Sequence, residues 1–268
     1  MAKADHEVDH AIDLNADVGE SFGPWPMGAD EALMPLVTSV SIACGAHAGD
    51  PVVMRRTLDL ARHHHIAVGA HPGYPDLQGF GRRVMTMPPT EVEAWMLAQI
   101  GALAGVARAV GVTLRHVKVH GALYNQAADD PALAEAIARA VRTFDPDLIL
   151  MARAGSIQVA VAKAAGLRVA EEAFADRGYD AHGRLVSRTQ PGALISKPAD
   201  AAARVVHLLQ TGQIATVDGA LLTLRADTIC IHSDSPGAPQ IAGAVRDALL
   251  AAGITPTPLH KSLPLPGN

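Results

Sequence analysis

The stretch Ile12-Asp13-Leu14-Asn15-Ala16-Asp17-Val18-Gly19-Glu20 decides the fold class. Apolar and polar residues alternate along it. In an extended chain successive side chains point to opposite faces, so Asp13, Asn15 and Asp17 share one face. A solvated edge strand carries such an alternation. So does a strand whose polar face turns into a barrel, where polar groups are costly unless they bind something. No Gly-x-Gly-x-x-Gly loop follows the strand, which counts against an open dinucleotide-binding sheet.

Outward from this strand, short β-branched or apolar runs alternate with longer Ala/Leu-rich stretches. Residues 11–17, 39–44, 66–71, 116–120, 148–152, 168–173 and 228–232 read as strands. Residues 51–64, 89–110, 131–144, 156–165, 198–210 and 239–252 read as helices. Asp50-Pro51 and Asp130-Pro131 supply an N-cap followed by proline, and Thr90-Glu91-Val92-Glu93 brings acidic residues to a helix start. Gly111, Gly166 and Gly253 fall where helix C-caps belong. Strand–helix–strand repetition demands parallel pairing. About seven such strands without a composition break predict one α/β domain over residues 1–268, a TIM-like (β/α) barrel with an irregular strand count.

Composition limits the partners. Of 268 residues, 49% are hydrophobic and 18% charged, with a formal net charge of -5, which excludes disordered and fibrous classes. No Lys/Arg-rich run suggests a nucleic-acid face, and no apolar stretch is long enough to span a bilayer. Residues 1–10 are polar and acidic, without the apolar core of a secretory signal. Cys44 and Cys230 are too few for a disulfide framework. A soluble cytoplasmic protein is expected, with homo-oligomerisation left open. Aromatics are only 3%, so the core rests on Ala, Val, Leu and Ile; thirteen histidines exceed what such a core needs.

Functional groups of such barrels sit at the C-terminal ends of the strands, and here those ends are polar. His116, Lys118 and His120 alternate with Val117 and Val119. Lys118 is a candidate clamp for a developing oxyanion or a phosphate, and His120 a proton carrier near neutral pH. His47 and His71 follow two further strands among small residues and glycines that admit a ligand. Glu171, Glu172, Asp176 and Arg177 follow the sixth strand, and His232 and Asp234 the seventh, as rim candidates. Two His and one Asp from strand ends make a hydrolytic ligand set, so a metal, if present, would fall to Asp13, His47 and His71, although no ligand motif appears. Cys44 near His47 reads either as a nucleophile or as a buried inert thiol.

Five blocks in order carry a resemblance: residues 13–20, 41–50, 69–76, 116–125 and 232–236. Together they are similar to the LamB/YcsF family, from about Ile12 to about Leu259, with Val119 where proline is expected and Ser233 where glycine is common. The resemblance implies a seven-stranded barrel related to the glycoside hydrolase/deacetylase barrels. It further implies ATP-driven opening of the lactam of 5-oxoproline to glutamate, together with partner subunits B and C of a 5-oxoprolinase. ATP, with Mg2+, would then be bound with those partners. For that chemistry Asp13, Asp17, Lys118 and His120 are the catalytic candidates, with Asp17 or His120 as the base. Asn15, His47, His71, His116 and Glu172 are the substrate-binding candidates. Phe22, Pro24, Trp25, Pro26 and Met27 are expected to form an apolar docking patch. A metal-dependent deacetylase of a sugar or amide, or a non-enzymatic lactam-binding protein, are the other readings.

Overall fold

The computed structural model describes residues 11–263. The segment read above as lacking a secretory signal, 1–10, and the last residues of the expected 1–268 domain lie outside them. The elements run β1 (Ala11–Val18), α1 (Asp30–Leu33), β2 (Ser39–Ala43), α2 (Pro51–His63), β3 (Ala67–His71), α3 (Pro89–Ala109), β4 (Leu114–Lys118), α4 (Gly121–Ala127), α5 (Pro131–Phe144) and β5 (Ile149–Arg153). They continue with α6 (Ile157–Ala164), β6 (Arg168–Phe174), α7 (Pro198–Thr211), β7 (Gln213–Ala215), β8 (Leu221–Thr223), β9 (Thr228–His232), α8 (Ala238–Ala251), β10 (Thr255–Pro256) and α9 (Leu259–Ser262). Strands β1 to β6 pair parallel in sequence order, β6 pairs with β9, and β9 returns to β1, closing a seven-stranded barrel. No helix among the described residues is long and apolar enough to cross a membrane.

Local chemistry explains the shell. Asp50 and Asp130 each accept hydrogen bonds from the second and third backbone amides of the helix they precede, as their sequence position predicts. The α3 start differs: Pro88 occupies the cap and no side chain bonds there, so Thr90 is already helical. Leu14, Ala16 and Val18 of β1 face outward into the apolar shell under the helices, fully buried, while Asp13, Asn15 and Asp17 turn into the barrel. A separate apolar cluster of Ile149, Met151 and Ala170 packs on Leu259 of α9, so the last helix plugs the N-terminal end of the barrel.

One strand ends earlier than its pattern suggests. Residues 116–120 read as β4, but the ladder stops at Lys118 and His120 becomes the residue before α4. The His120 amide donates to Pro72 O at 2.8 Å, and Gly121 (φ +60°) sits so close to Gly81 O that a Cβ there would lie 2.5 Å from it. This tertiary contact turns the chain out of the sheet. The β7–β8 hairpin and the segment 175–197, folded by isolated bridges over the barrel mouth, are additions that the strand–helix alternation does not announce.

Asp13 forms the lowest polar layer of the interior. Its carboxylate accepts from the hydroxyls of Thr38 (2.8 Å), Ser39 (2.8 Å) and Thr228 (2.6 Å). Burial nevertheless pushes its pKa up to about 6. A raised carboxyl pKa favours the fold while protonated, and that advantage is lost as pH rises from the ordinary 3.8 through about 6. Asp13→Asn, an uncharged isostere among rotatable hydroxyls, is therefore expected to gain on wild type as pH rises, approaching ~3 kcal/mol above the raised pKa. Urea midpoints of both proteins measured between about pH 4.5 and 8 check this; a constant gap would refute it.

Candidate active site

Lys118 organises the layer above Asp13. Its Nζ lies 2.9 Å from Asp17 Oδ1, 2.8 Å from Glu172 Oε1, 3.0 Å from Cys230 Sγ and 3.2 Å from Asn15 Oδ1. An ammonium has three N–H donors, so these neighbours use all of them. Burial works against the ammonium, but Asp17, Cys230 and Glu172 outweigh it and raise its pKa above the ordinary lysine value. Burial likewise opposes ionisation of Asp17, yet His71 and Lys118 hold its carboxyl below the usual carboxylate range. Asn15 Nδ2 donates to Glu172 Oε1 (3.0 Å) and Thr228 Oγ1 (2.7 Å), and the Tyr124 hydroxyl of α4 donates to Glu172 Oε2 (2.7 Å).

A pocket of about 500 Å³ opens above this layer at the C-terminal end of the barrel. Asp17, Lys118, Tyr124, Phe174 and His232 line its depth, and Arg82, Arg188 and Asp234 its rim. Asp234 sits between Arg82 (2.5 Å) and Arg188 (3.6 Å). His232 Nδ1 lies 3.0 Å from Asp176 Oδ1 and its ring stacks on Phe174, centroids 5.4 Å apart. Ser235 also donates to Asp176, at 2.8 Å. A carboxylate on Nδ1 fixes the proton there and leaves the other ring nitrogen as an acceptor.

Beside the pocket lies a histidine cluster. Donor atoms of Glu20, His47, His71 and His120 fall within 4.8 Å of one another, all buried. His71 Nδ1 bonds Lys118 O and His120 Nε2 bonds Phe80 O, both at 2.8 Å, and His71 Nε2 faces His120 Nδ1 at 2.9 Å. Neither nitrogen of His47 has a hydrogen-bond partner. Burial drives His47 and His120 well below the ordinary histidine pKa and His71 down to about 4. Burial, reinforced by Asp17, pushes Glu20 well above the ordinary carboxylate value.

The sequence candidates thus separate by depth. Asp17, His71, Lys118 and His120 reach the pocket. Asp13 and Asn15 do not, because the Lys118 layer lies between them and the mouth; His47 is sealed behind His120, rings stacked at 3.8 Å. His116 is also out of reach: its Nε2 contacts Ser41 Oγ at 3.2 Å, and its ring fills the space that a side chain on Gly69 would need. Glu172 lies within β6 rather than after it, fully buried beneath Tyr124 and Lys118. The carboxylate of the histidine cluster is Glu20, not Asp13, since Asp13 is enclosed by hydroxyls at the barrel floor. Lys118 has no donor free to clamp an oxyanion. Cys44 is buried, with burial lifting its thiol to about 12, so it is an inert thiol. Glu20, Tyr124 and Arg82 had no assigned role in the sequence. Glu20 is aimed by Gly19 (φ +68°), Tyr124 by α4 and Arg82 by a glycine-rich loop.

A closed (β/α) barrel with charged groups gathered at its C-terminal mouth has the build of a barrel enzyme. The chain belongs to the LamB/YcsF family, whose model matches residues 12–264. The 5-oxoprolinase A-subunit of Chloroflexus aggregans is 54% identical over 245 residues, covering 91% of this chain and 97% of the relative. That of Methylococcus capsulatus is 55% identical over 243 residues, covering 91% and 94%. The crystal structure of a lactam utilization protein from Thermus thermophilus aligns with a TM-score of 0.87 at 47% identity, over 92% of this chain and 99% of that one.

Removing the Lys118 charge leaves two facing carboxylates buried without a counter-ion. Lys118→Met is expected to lower unfolding free energy by ~3–5 kcal/mol. Tyr124→Phe, which leaves Glu172 with Asn15 and Lys118, should cost only about 1 kcal/mol. Urea unfolding of both variants tests this; equal losses would remove Lys118 from the centre of the interior.

Proposed function

We propose that this chain is the A-subunit of an ATP-dependent 5-oxoprolinase, opening the lactam of 5-oxoproline to L-glutamate together with subunits B and C. The carrying observation is identity above one half, over nine-tenths of both chains, to relatives named as 5-oxoprolinase A-subunits. The pocket suits the reaction. Arg82 and Arg188 at the rim match the substrate carboxylate, exchanging it for Asp234. Asp17, kept ionised beside Lys118, lines the pocket and accepts from the lactam N–H. His232, oriented by Asp176, takes the proton of the attacking water, whereas both ring nitrogens of His120 are turned to other groups, one to Phe80 O and one to His71. An unstrained lactam is a poor electrophile. Phosphoryl transfer from ATP to the lactam oxygen, with Mg2+ and at the junction with the partner subunits, makes the ring carbon attackable. Water then adds, the C–N bond breaks as nitrogen gains a proton, and a second water releases phosphate.

Partner docking falls to the loop after β1. Trp25 is 66% exposed, and Val52, 78% exposed, lines a groove together with Phe22, Pro24 and Pro26. A cytoplasmic setting, where ATP is available, accords with this reading.

The test is glutamate released from 5-oxoproline with saturating ATP and Mg2+, by this chain alone and with subunits B and C. Turnover is expected only with the partners. Robust turnover by the chain alone would overturn the division of labour, and none in any combination the function. Deacetylation of a sugar amide without ATP would favour the metal-dependent deacetylase, and lactam binding without turnover a binding protein. His232→Asn should lower kcat by about 10²–10⁴-fold without loss of thermal stability. Trp25→Glu should abolish co-purification with the partners while leaving Tm unchanged.

A further inference from the structure

We infer that Glu20, His47, His71 and His120 form a site for one divalent transition-metal ion of the zinc class. Proton counting carries the argument. Three contacts run in a row: Phe80 O to His120 Nε2, His120 Nδ1 to His71 Nε2, and His71 Nδ1 to Lys118 O. Each needs one hydrogen if it is a hydrogen bond, and two neutral imidazoles carry two. The carbonyls can only accept, so they claim both protons and leave two nitrogen lone pairs facing each other at 2.9 Å. Both rings are buried, which keeps solvent from separating the facing nitrogens. A cation between the lone pairs resolves the conflict.

The remaining donors fit the same ion. Glu20 Oε1 lies 3.6 Å from His120 Nδ1 and 3.8 Å from His47 Nε2, and His47 has no other partner for either nitrogen. Bonds of about 2.0–2.1 Å to nitrogen place tetrahedral ligands roughly 3.3 Å apart, close to these spacings. Imidazole nitrogens with one carboxylate favour zinc and its neighbours over calcium or magnesium. The Lys118 and Phe80 carbonyls already orient two of the rings, as outer partners do in metal centres. His47 and His120 stack with only 2° between their planes, so one ring tilts when both bind. Asp17, Cys230 and His232 are a second convergent set, but the Lys118 ammonium already contacts Asp17 and Cys230.

The experiment uses the full chain, stripped with a chelator, dialysed and titrated with Co2+ and separately with Zn2+. One equivalent should bind, Co2+ should give the visible absorption of a low-symmetry nitrogen–oxygen site, and Zn2+ should raise Tm. Glu20→Gln and His120→Asn should each weaken binding by at least tenfold, while His116→Asn, a buried histidine outside the cluster, keeps the stoichiometry. Folded wild-type protein that takes up neither ion, or metal uptake unchanged in both cluster variants, would overturn the inference. Metal content is read without turnover, so this result and that of the ring-opening assay fail independently.

Discussion

A single buried ammonium imposes the design of the interior. An isolated charge is intolerable in a low-dielectric core, and a buried pair is tolerated only when every remaining donor and acceptor is matched. Lys118 meets that condition through β1, β6 and β9 together, which supply Asp17 and Asn15, Glu172, and Cys230. Barrels of this class ordinarily fill with branched aliphatic layers. Here the apolar packing is displaced outward, to Leu14, Ala16 and Val18 and their counterparts under the helices, and the axis carries hydroxyls, carboxyls and amides. Cohesion of the fold and chemistry of the mouth are thus handled by opposite faces of the same strands.

Asp17 joins two compartments of unlike character. On one side Lys118 gives it a fixed counter-charge at 2.9 Å; on the other His71 Nε2 stands 3.5 Å away in a group of neutral imidazoles. The first compartment is electrically settled whatever enters the pocket. The second holds unassigned lone pairs and Glu20, whose pKa burial pushes well above the ordinary carboxylate value, so its charge depends on what it receives.

Much of the barrel was legible because its signals are local. Each of the seven strands is a short apolar run or a short alternation of apolar and polar residues, and prolines after Asp50 and Asp130 mark helix starts without reference to anything distant. The inward alternation of His116 and Lys118 was readable for the same reason. Depth was not. Asp13 and Asp17 share a face, but only the closed barrel puts Thr228 on one and Lys118 on the other. The exit of His120 from the sheet depends on Gly81, far away in the chain, and Tyr124 was hidden because its helix is a mere two turns. Glu20 closes the polar stretch of the first strand, yet its direction is set by a left-handed glycine, which spacing does not reveal.

The β1–β9 seam has a consequence for how the protein comes into being. Thr228 meets Asn15 across 213 residues and Asp13 across 215, so the earliest and almost the last strand must find each other before the axis is enclosed. Contacts of such long separation are entropically late. On the ribosome the nascent chain will hold β1 to β6 as an open sheet with a wet, charged surface, and Lys118 will stay hydrated until β9 emerges. That hydrophilic face protects the half-made chain, because unclosed edges carrying carboxylates, Asp13 and Asp17 on β1 and Glu172 on β6, are poor templates for intermolecular pairing.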